Sequence, residues 1–281
     1  MTSLPATLTM GAVSLSVGDL QRSLHYYKQH IGLSVLKQQG NTATLGVGSR
    51  ELLHLEGITG AKHFSGTSGL YHFALRVPSR VHLAHFIMRL LQNQSRIDGA
   101  SNHLVSEALY LTDPDGHGIE VYSDRPRSEW PKANGTVRMD TLPLDIEDVL
   151  KELPQGTNPE RLADGTDMGH VHLHVADTHA AEAFYVGILG FDKMMTISRA
   201  LFVSAGGYHH HLGLNTWAGI GAKQAPAHAA RLLRYEIVLP DQGALDAVND
   251  RLYVAKIAMQ EKNDVVIVDD PSGNTINLRL A

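Results

Sequence analysis

Met168-Gly169-His170-Val171-His172-Leu173-His174-Val175-Ala176-Asp177 repeats, at six of its ten positions, an earlier stretch, Met10-Gly11-Ala12-Val13-Ser14-Leu15-Ser16-Val17-Gly18-Asp19. The register continues beyond the match. Tyr27 and Tyr185 each lie eight residues after the closing aspartate, and Gly32 and Gly190 each lie thirteen after it. Each copy reads as a strand, an amphipathic helix capped by aspartate, and a glycine stop. Two weaker copies follow. Gly69-Leu70-Tyr71-His72-Phe73-Ala74-Leu75-Arg76-Val77-Pro78 is similar to the run from Leu232 to Asp241, and helical patterns succeed both, near 80–92 and 242–252. Both finish alike, on the tight turns Asp113-Pro114-Asp115-Gly116 and Asp270-Pro271-Ser272-Gly273 before a last strand.

The chain therefore consists of four modules, each a strand, a helix and about three more strands, an α+β architecture. Equivalent first-strand positions carry Ala12, His72, His170 and Arg234, at intervals of 60, 98 and 64 residues. The long middle interval marks a segment rich in Pro, Asp and Arg with a short helical pattern near 145–153. The expected organisation is an N-terminal lobe of modules one and two (1–125), a linker (126–166) and a C-terminal lobe of modules three and four (167–281).

The 281 residues suggest about two domains, and 43% hydrophobic with 19% charged residues suits a soluble globular protein. With 24 basic against 29 acidic residues, net −5, there is no basic stripe of the kind a nucleic-acid binder shows. The absence of cysteine excludes disulfides, thiolate metal sites and cysteine nucleophiles. Met1-Thr2-Ser3-Leu4-Pro5-Ala6 lacks the features of a signal peptide, and no apolar run reaches the roughly 18 residues of a membrane span. A cytoplasmic location without membrane or nucleic-acid partners is expected, and a homo-oligomer is compatible with the sequence. The 17 histidines stand out, clustering at His170, His172, His174 and at His209, His210, His211.

The sharpest motif is His103-x5-Leu109-Tyr110-x2-Asp113-Pro114-x-Gly116-x3-Glu120. Together with four βαβββ modules and a histidine on a strand ending Val-x-Asp, it resembles the vicinal oxygen chelate superfamily, the glyoxalase and extradiol dioxygenase fold. Within that superfamily the chain is similar to two-lobed extradiol ring-cleaving dioxygenases of the catechol 2,3-dioxygenase type; Ser101, just before the motif, departs from their pattern. The resemblance implies metal ligands His72, His170 and Glu120, an acid–base histidine at His210, and supporting groups His103 and Tyr110. His172 is expected to line the substrate pocket, with His209 and His211 as supporting groups and His174 as supporting or structural. Many such relatives draw all their ligands from the C-terminal lobe, but here the fourth module has Arg234 and Asn277 at the equivalent positions and the first has Ala12. Relatives of the hydroquinone ring-cleaving type pair modules across the lobes, and that pairing of modules two and three is implied here.

Two neutral imidazoles and a carboxylate on one face of a metal are the donor set of non-haem iron(II) oxygenases, with three positions left open. Iron(II) is expected, with manganese(II) as a substitute, acting on a catechol-like aromatic substrate and O2. A histidine titrating near pH 7 suits the required proton transfers, and His103 and Tyr110 are expected to donate hydrogen bonds to substrate oxygens. An inward-facing Glu120 in Ile119-Glu120-Val121-Tyr122 is costly unless paired. The alternatives are a hydroquinone-cleaving enzyme, a glyoxalase-type isomerase or lyase, and a non-catalytic small-molecule-binding module.

Overall fold

The computed structural model describes residues 3–133, 136–154, 156 and 160–281. Met1 and Thr2 of the N-terminal reading, and 134–135, 155 and 157–159 of the linker reading, lie outside the described residues. Module one comprises β1 (Thr9–Val17), α1 (Leu20–Tyr26, running into a π-helical turn over Tyr27–Ile31), β2 (Ser34–Gln39), β3 (Thr42–Val47) and β4 (Arg50–Gly57). Module two comprises β5 (Gly69–Arg76), α2 (Arg80–Gln92), β6 (Gly99–Asn102), β7 (Ser106–Thr112) and β8 (Gly118–Asp124). The connecting segment holds the short strands β9 (Lys132–Ala133), β10 (Thr136–Val137) and β11 (Leu142–Pro143), and α3 (Ile146–Leu150). Module three comprises β12 (Asp167–His174), α4 (Thr178–Glu182, continuing as a π-helical turn over Ala183–Ile188), β13 (Asp192–Ile197), β14 (Ala200–Ser204) and β15 (Leu212–Asn215). Module four comprises β16 (Leu232–Leu239), α5 (Gln242–Val254), β17 (Met259–Lys262), β18 (Val265–Asp269) and β19 (Thr275–Leu280).

In every module the first strand lies parallel to the fourth, and the other strands follow as an antiparallel meander. First strands then join antiparallel: β1 with β16, and β5 with β12. Modules one and four thus form one eight-stranded sheet, and modules two and three, with β11 at the edge, form one of nine strands. Each sheet takes one module from either half of the sequence.

The repeated sequence features have repeated jobs. Asp19 accepts from the backbone N–H groups of Gln21 and Arg22, and Asp177 from those of His179 and Ala180, so each caps its helix. Gly32 and Gly190 both adopt φ +91°, a left-handed conformation that ends the helix and that a β-carbon would strain. Tyr27, wholly buried, donates to Asp113 Oδ2 at 2.9 Å, and Tyr185 to Asp270 Oδ2 at 3.0 Å. The same aspartates hold their Asp-Pro turns through Oδ1, which accepts from His117 N and Asn274 N respectively. The helix of module one is therefore tied to the turn of module two, and that of module three to the turn of module four. Tyr27→Phe leaves a buried acceptor unpaired and is expected to lower unfolding free energy by roughly 1–3 kcal/mol, read from denaturant melts; Tyr185→Phe leaves Asp270 Oδ2 its Asn274 Nδ2 donor at 2.9 Å but removes a partner of the buried Tyr235 hydroxyl, and should destabilise as well. An unchanged midpoint in both variants would remove this account of the link.

Strand alternation sorts the central strands into two faces. Val171, Leu173 and Val175 of module three, with Phe73 and Leu75 of β5, join the apolar core. His170 and His172 project to the other side, where the site lies.

Candidate metal centre

Register places the key side chains. Across the sheet, Ala74 on β5 pairs with His170 on one side and Glu120 on the other. The small methyl of Ala74 leaves room for both longer side chains to lean in over it, and His72 enters from two residues along the same strand. His72 Nε2 is 3.0 Å from Glu120 Oε2, His170 Nε2 is 3.1 Å from the same oxygen, and the two ring nitrogens are 3.3 Å apart. All three residues are buried. Among the described residues this is the cluster of three such side chains close enough to share an ion. In the other sheet, by the same register, Ala12 and Asn277 replace His170 and Glu120, and Glu236 fills the place of Ala74. Glu236 is spent on the Ala12 N–H (3.2 Å) and on Arg279 (2.8 Å).

The donor spacing fits a metal. Ligand atoms about 2.1 Å from an ion and at right angles to one another lie about 3.0 Å apart, whereas tetrahedral neighbours lie about 3.4 Å apart. The observed 3.0, 3.1 and 3.3 Å lean to the first arrangement. N2O donation with three open positions suits iron(II) or manganese(II). Burial would raise the Glu120 pKa, but the His170 and His72 rings outweigh it and hold the carboxyl well below its usual range. Burial pushes His170 down to about 4, leaving a neutral ring able to ligate. Its Nδ1 is buried without a protein partner, so packing against Tyr122 (5.0 Å between centroids) and His210 (4.1 Å) orients the ring.

The triad opens into a cavity of about 440 Å³ to which His72, Glu120, His103, Tyr110, His172 and His210 all contribute. Of the three consecutive histidines, His210 is the one on this cavity; burial, with His170 and other rings nearby, keeps it well below the ordinary histidine value, so the ring is neutral and does not titrate near pH 7 as expected of the acid–base histidine. His211 faces the opposite way: its Nδ1 accepts from the Ala205 N–H (3.2 Å) and lies 2.9 Å from Ser204 Oγ. His209 lies behind His210. His172 Nε2 accepts from Asn215 Nδ2 (2.9 Å), while Asn215 Oδ1 accepts from His174 Nδ1 (2.8 Å), so one buried amide holds two histidines. Gly213 must lack a side chain, because a β-carbon there would sit 2.7 Å from the His172 ring. The role of Asn215 is not legible in the sequence, since nothing in Leu214-Asn215-Thr216 separates it from an ordinary strand end.

His103 Nδ1 donates to the Asp140 carbonyl at 2.8 Å, and its Nε2 lies 2.6 Å from the Tyr110 hydroxyl, so both ring nitrogens are engaged within the protein. Asp140 belongs to the segment read as a linker, which supplies Met139, Asp140 and Thr141 as a cavity wall. The remaining wall is Ser101 and Ser106 with apolar or aromatic residues (Tyr71, Val105, Met195, Ile197, Phe202, Trp217), and among the described residues no Lys or Arg lines it.

The buried histidines imply a pH dependence. His211 is pushed to about 3 by burial, with His209 and Arg76 nearby adding to the shift. Its folded pKa lies below the unfolded value of about 6.5, so between the two the unfolded chain binds the extra proton. This contribution to stability is whole above about pH 6.5 and drains as pH falls towards 3, by up to about 1.4 kcal/mol per unit. Urea melts of metal-free protein should show a lower midpoint at pH 5.5 than at 7.5, and His211→Gln should flatten that slope by about one proton. Equal slopes would remove His211 from the account.

A model of the Glyoxalase/Bleomycin resistance protein/Dioxygenase superfamily matches residues 9–121. A catechol-2,3-dioxygenase of Bacillus subtilis (strain 168) is 44% identical over 277 residues, covering 96% of this chain and 96% of that protein. Among solved structures, a putative dioxygenase from Bacillus subtilis subsp. subtilis str. 168 aligns with TM-score 0.64 at 14% identity, over 99% of this chain and 86% of the other. Glyoxalase I from Zea mays aligns at 0.58 and 16% identity, over 97% and 92%. The last two speak to the fold alone.

Proposed function

Because this chain belongs to the glyoxalase/bleomycin resistance protein/dioxygenase superfamily, we propose that it opens the aromatic ring of a catechol-like substrate with O2, as an extradiol dioxygenase. The carrying observation is the buried His72–Glu120–His170 triad at the floor of a cavity that also presents His210 and Tyr110. His72, His170 and Glu120 would hold iron(II) or manganese(II). When bound, such an ion supplies the Lewis acidity and electron transfer that bring a catechol and O2 into reaction.

The chain's own residues do the rest. The apolar wall of Phe202, Met195 and Ile197 packs the ring and displaces water. His210, neutral and facing the triad, accepts a proton from a substrate hydroxyl and later returns it to the ring-cleavage product. Tyr110, kept protonated by burial and the Glu120 charge, presents its hydroxyl to the site, held 2.6 Å from His103 Nε2. His172, held by Asn215, shapes the pocket beside the metal ligands.

This reading includes a cytoplasmic location and a division into 1–125 and 167–281 with 126–166 between them. A homo-oligomer remains part of it as an arrangement to test by sizing. A hydroquinone is the second candidate substrate, favoured by the split of ligands between the two halves.

An oxygen electrode with anaerobically iron-loaded protein tests the proposal. Catechols with uncharged substituents should consume O2 one to one and yield the yellow ring-opened product, and carboxylated catechols should react poorly because no Lys or Arg among the described residues lines the cavity to receive them. Consumption on hydroquinone but not catechol would shift the reading to the second substrate. No consumption on either, by protein with a full complement of iron, would end it.

A further inference from the structure

His209 is 1% exposed, packed between the rings of Tyr208 (4.0 Å) and Trp130 (5.4 Å). It is too deep to meet a substrate, yet both of its ring nitrogens are engaged. Nε2 lies 2.9 Å from Asp124 Oδ1, and Nδ1 lies 2.8 Å from Nδ1 of His210.

Besides His209 at Oδ1, Asp124 receives Arg76 at 3.2 Å and the Tyr208 hydroxyl at 3.0 Å on Oδ2. A carboxylate so placed is an acceptor throughout, so the hydrogen between it and His209 belongs to His209 Nε2. A neutral imidazole with its proton on Nε2 has only a lone pair at Nδ1. The hydrogen in the next contact therefore belongs to His210 Nδ1, and His210 Nε2 is left with a lone pair. Arg76 is shared between Asp124 at 3.2 Å and Asp167 at 2.7 Å, and Arg50 also reaches Asp167 at 3.8 Å, so two guanidinium groups already face the two carboxylates and the His209 ring is taken as neutral.

We infer that Asp124 and His209 are positioning residues that fix His210 in its Nδ1–H form and aim the Nε2 lone pair at a substrate hydroxyl. The inference rests on the ring-cleaving reading for what His210 does, but not for how it is held. When the substrate O–H bond breaks, its electron pair stays on oxygen and the proton bonds to His210 Nε2. The resulting positive ring keeps its Nδ1–H directed at His209, whose own N–H faces the carboxylate. No proton moves to Asp124, as in a serine-protease triad. The device bridges the two halves of the sequence: Asp124 ends β8 of module two, and His209 precedes β15 of module three.

Asp124→Asn makes a sharp test. An amide nitrogen facing His209 Nε2 turns that nitrogen into an acceptor, moves its hydrogen to Nδ1, and so forces the His210 hydrogen onto Nε2. Long-range nitrogen–hydrogen NMR correlations on full-length zinc-loaded protein, which is diamagnetic, report which nitrogen of His210 carries hydrogen. Wild type should show Nδ1–H, and Asp124→Asn should show Nε2–H. With iron loaded, Asp124→Asn and His209→Phe should each lose about 10²- to 10⁴-fold in kcat, with KM within about threefold. His209→Gln, which keeps an acceptor and a donor, should recover at least about tenfold over His209→Phe. A wild-type His210 with its hydrogen on Nε2 overturns the inference. So does an Asp124→Asn protein that keeps Nδ1–H with kcat within about twofold of wild type. If a variant fails to fold, the wild-type assignment alone decides. If no catechol is cleaved by any form, the ring-cleaving reading fails while the assignment still stands or falls by itself.

Discussion

His170→Ala protein is expected to leave purification without iron or manganese and to consume O2 on catechol at less than about one-thousandth of the wild-type rate, and His72→Ala should do the same. Loss of an outer partner of a metal ligand typically costs about 10- to 100-fold in affinity, and loss of one of three protein ligands should exceed that. The equality between the two variants is the informative part. His72 and Glu120 come from module two and His170 from module three, yet all three donor atoms lie within 3.3 Å of one another. A site confined to the C-terminal half would tolerate His72→Ala. For the same reason neither 1–125 nor 160–281 expressed alone should bind metal, because the β5–β12 strand pairing that aligns Ala74 with His170 needs both. Metal analysis and calorimetric titration on the variants and fragments provide the check. Stoichiometric iron in the 160–281 fragment, with catechol cleavage, would overturn the shared site.

The module repeat is legible because the same steric problem, a strand handing over to a capped helix, is solved twice with the same aspartate and glycine. The partnership of modules two and three is legible by substitution: Ala12, Arg234 and Asn277 have no donor set to offer. What Tyr27 and Tyr185 are for is not legible, although their spacing is, because the Asp113 and Asp270 they bind lie 86 and 85 residues away. Asp124 reads as a charge at a strand end in Ser123-Asp124-Arg125; only the fold puts it beneath a histidine from the other half. The partner of His103 Nδ1 is hidden for a similar reason: it is the Asp140 backbone carbonyl in the connecting segment, and carbonyls leave no trace in side-chain identity.

The second large effect concerns His210. His210→Phe should keep a full complement of metal and lose about 10²- to 10⁴-fold in kcat, the usual range for a general acid–base. Metal should persist because the donor atoms of His72, Glu120 and His170 meet without help from His210, and a phenyl ring preserves the packing against His170, now 4.1 Å between ring centroids, and against Phe202 at 5.2 Å. Turnover should fall because, of the three consecutive histidines, His210 alone lines the cavity. His211 is committed as an acceptor to Ala205 and Ser204, and His209 is sealed beneath Tyr208 and Trp130. The size of the loss separates a ring-cleaving enzyme from a binding module. In a binding module the same change alters affinity and nothing else, whereas in a ring-cleaving enzyme it strikes the step at which a catechol proton must leave. Single-turnover mixing of anaerobic enzyme and catechol with O2 should show substrate still bound and the ring-opening phase slowed. A fully active His210→Phe beside an inactive His209→Phe would mean that the adjacent ring, not this one, carries the proton.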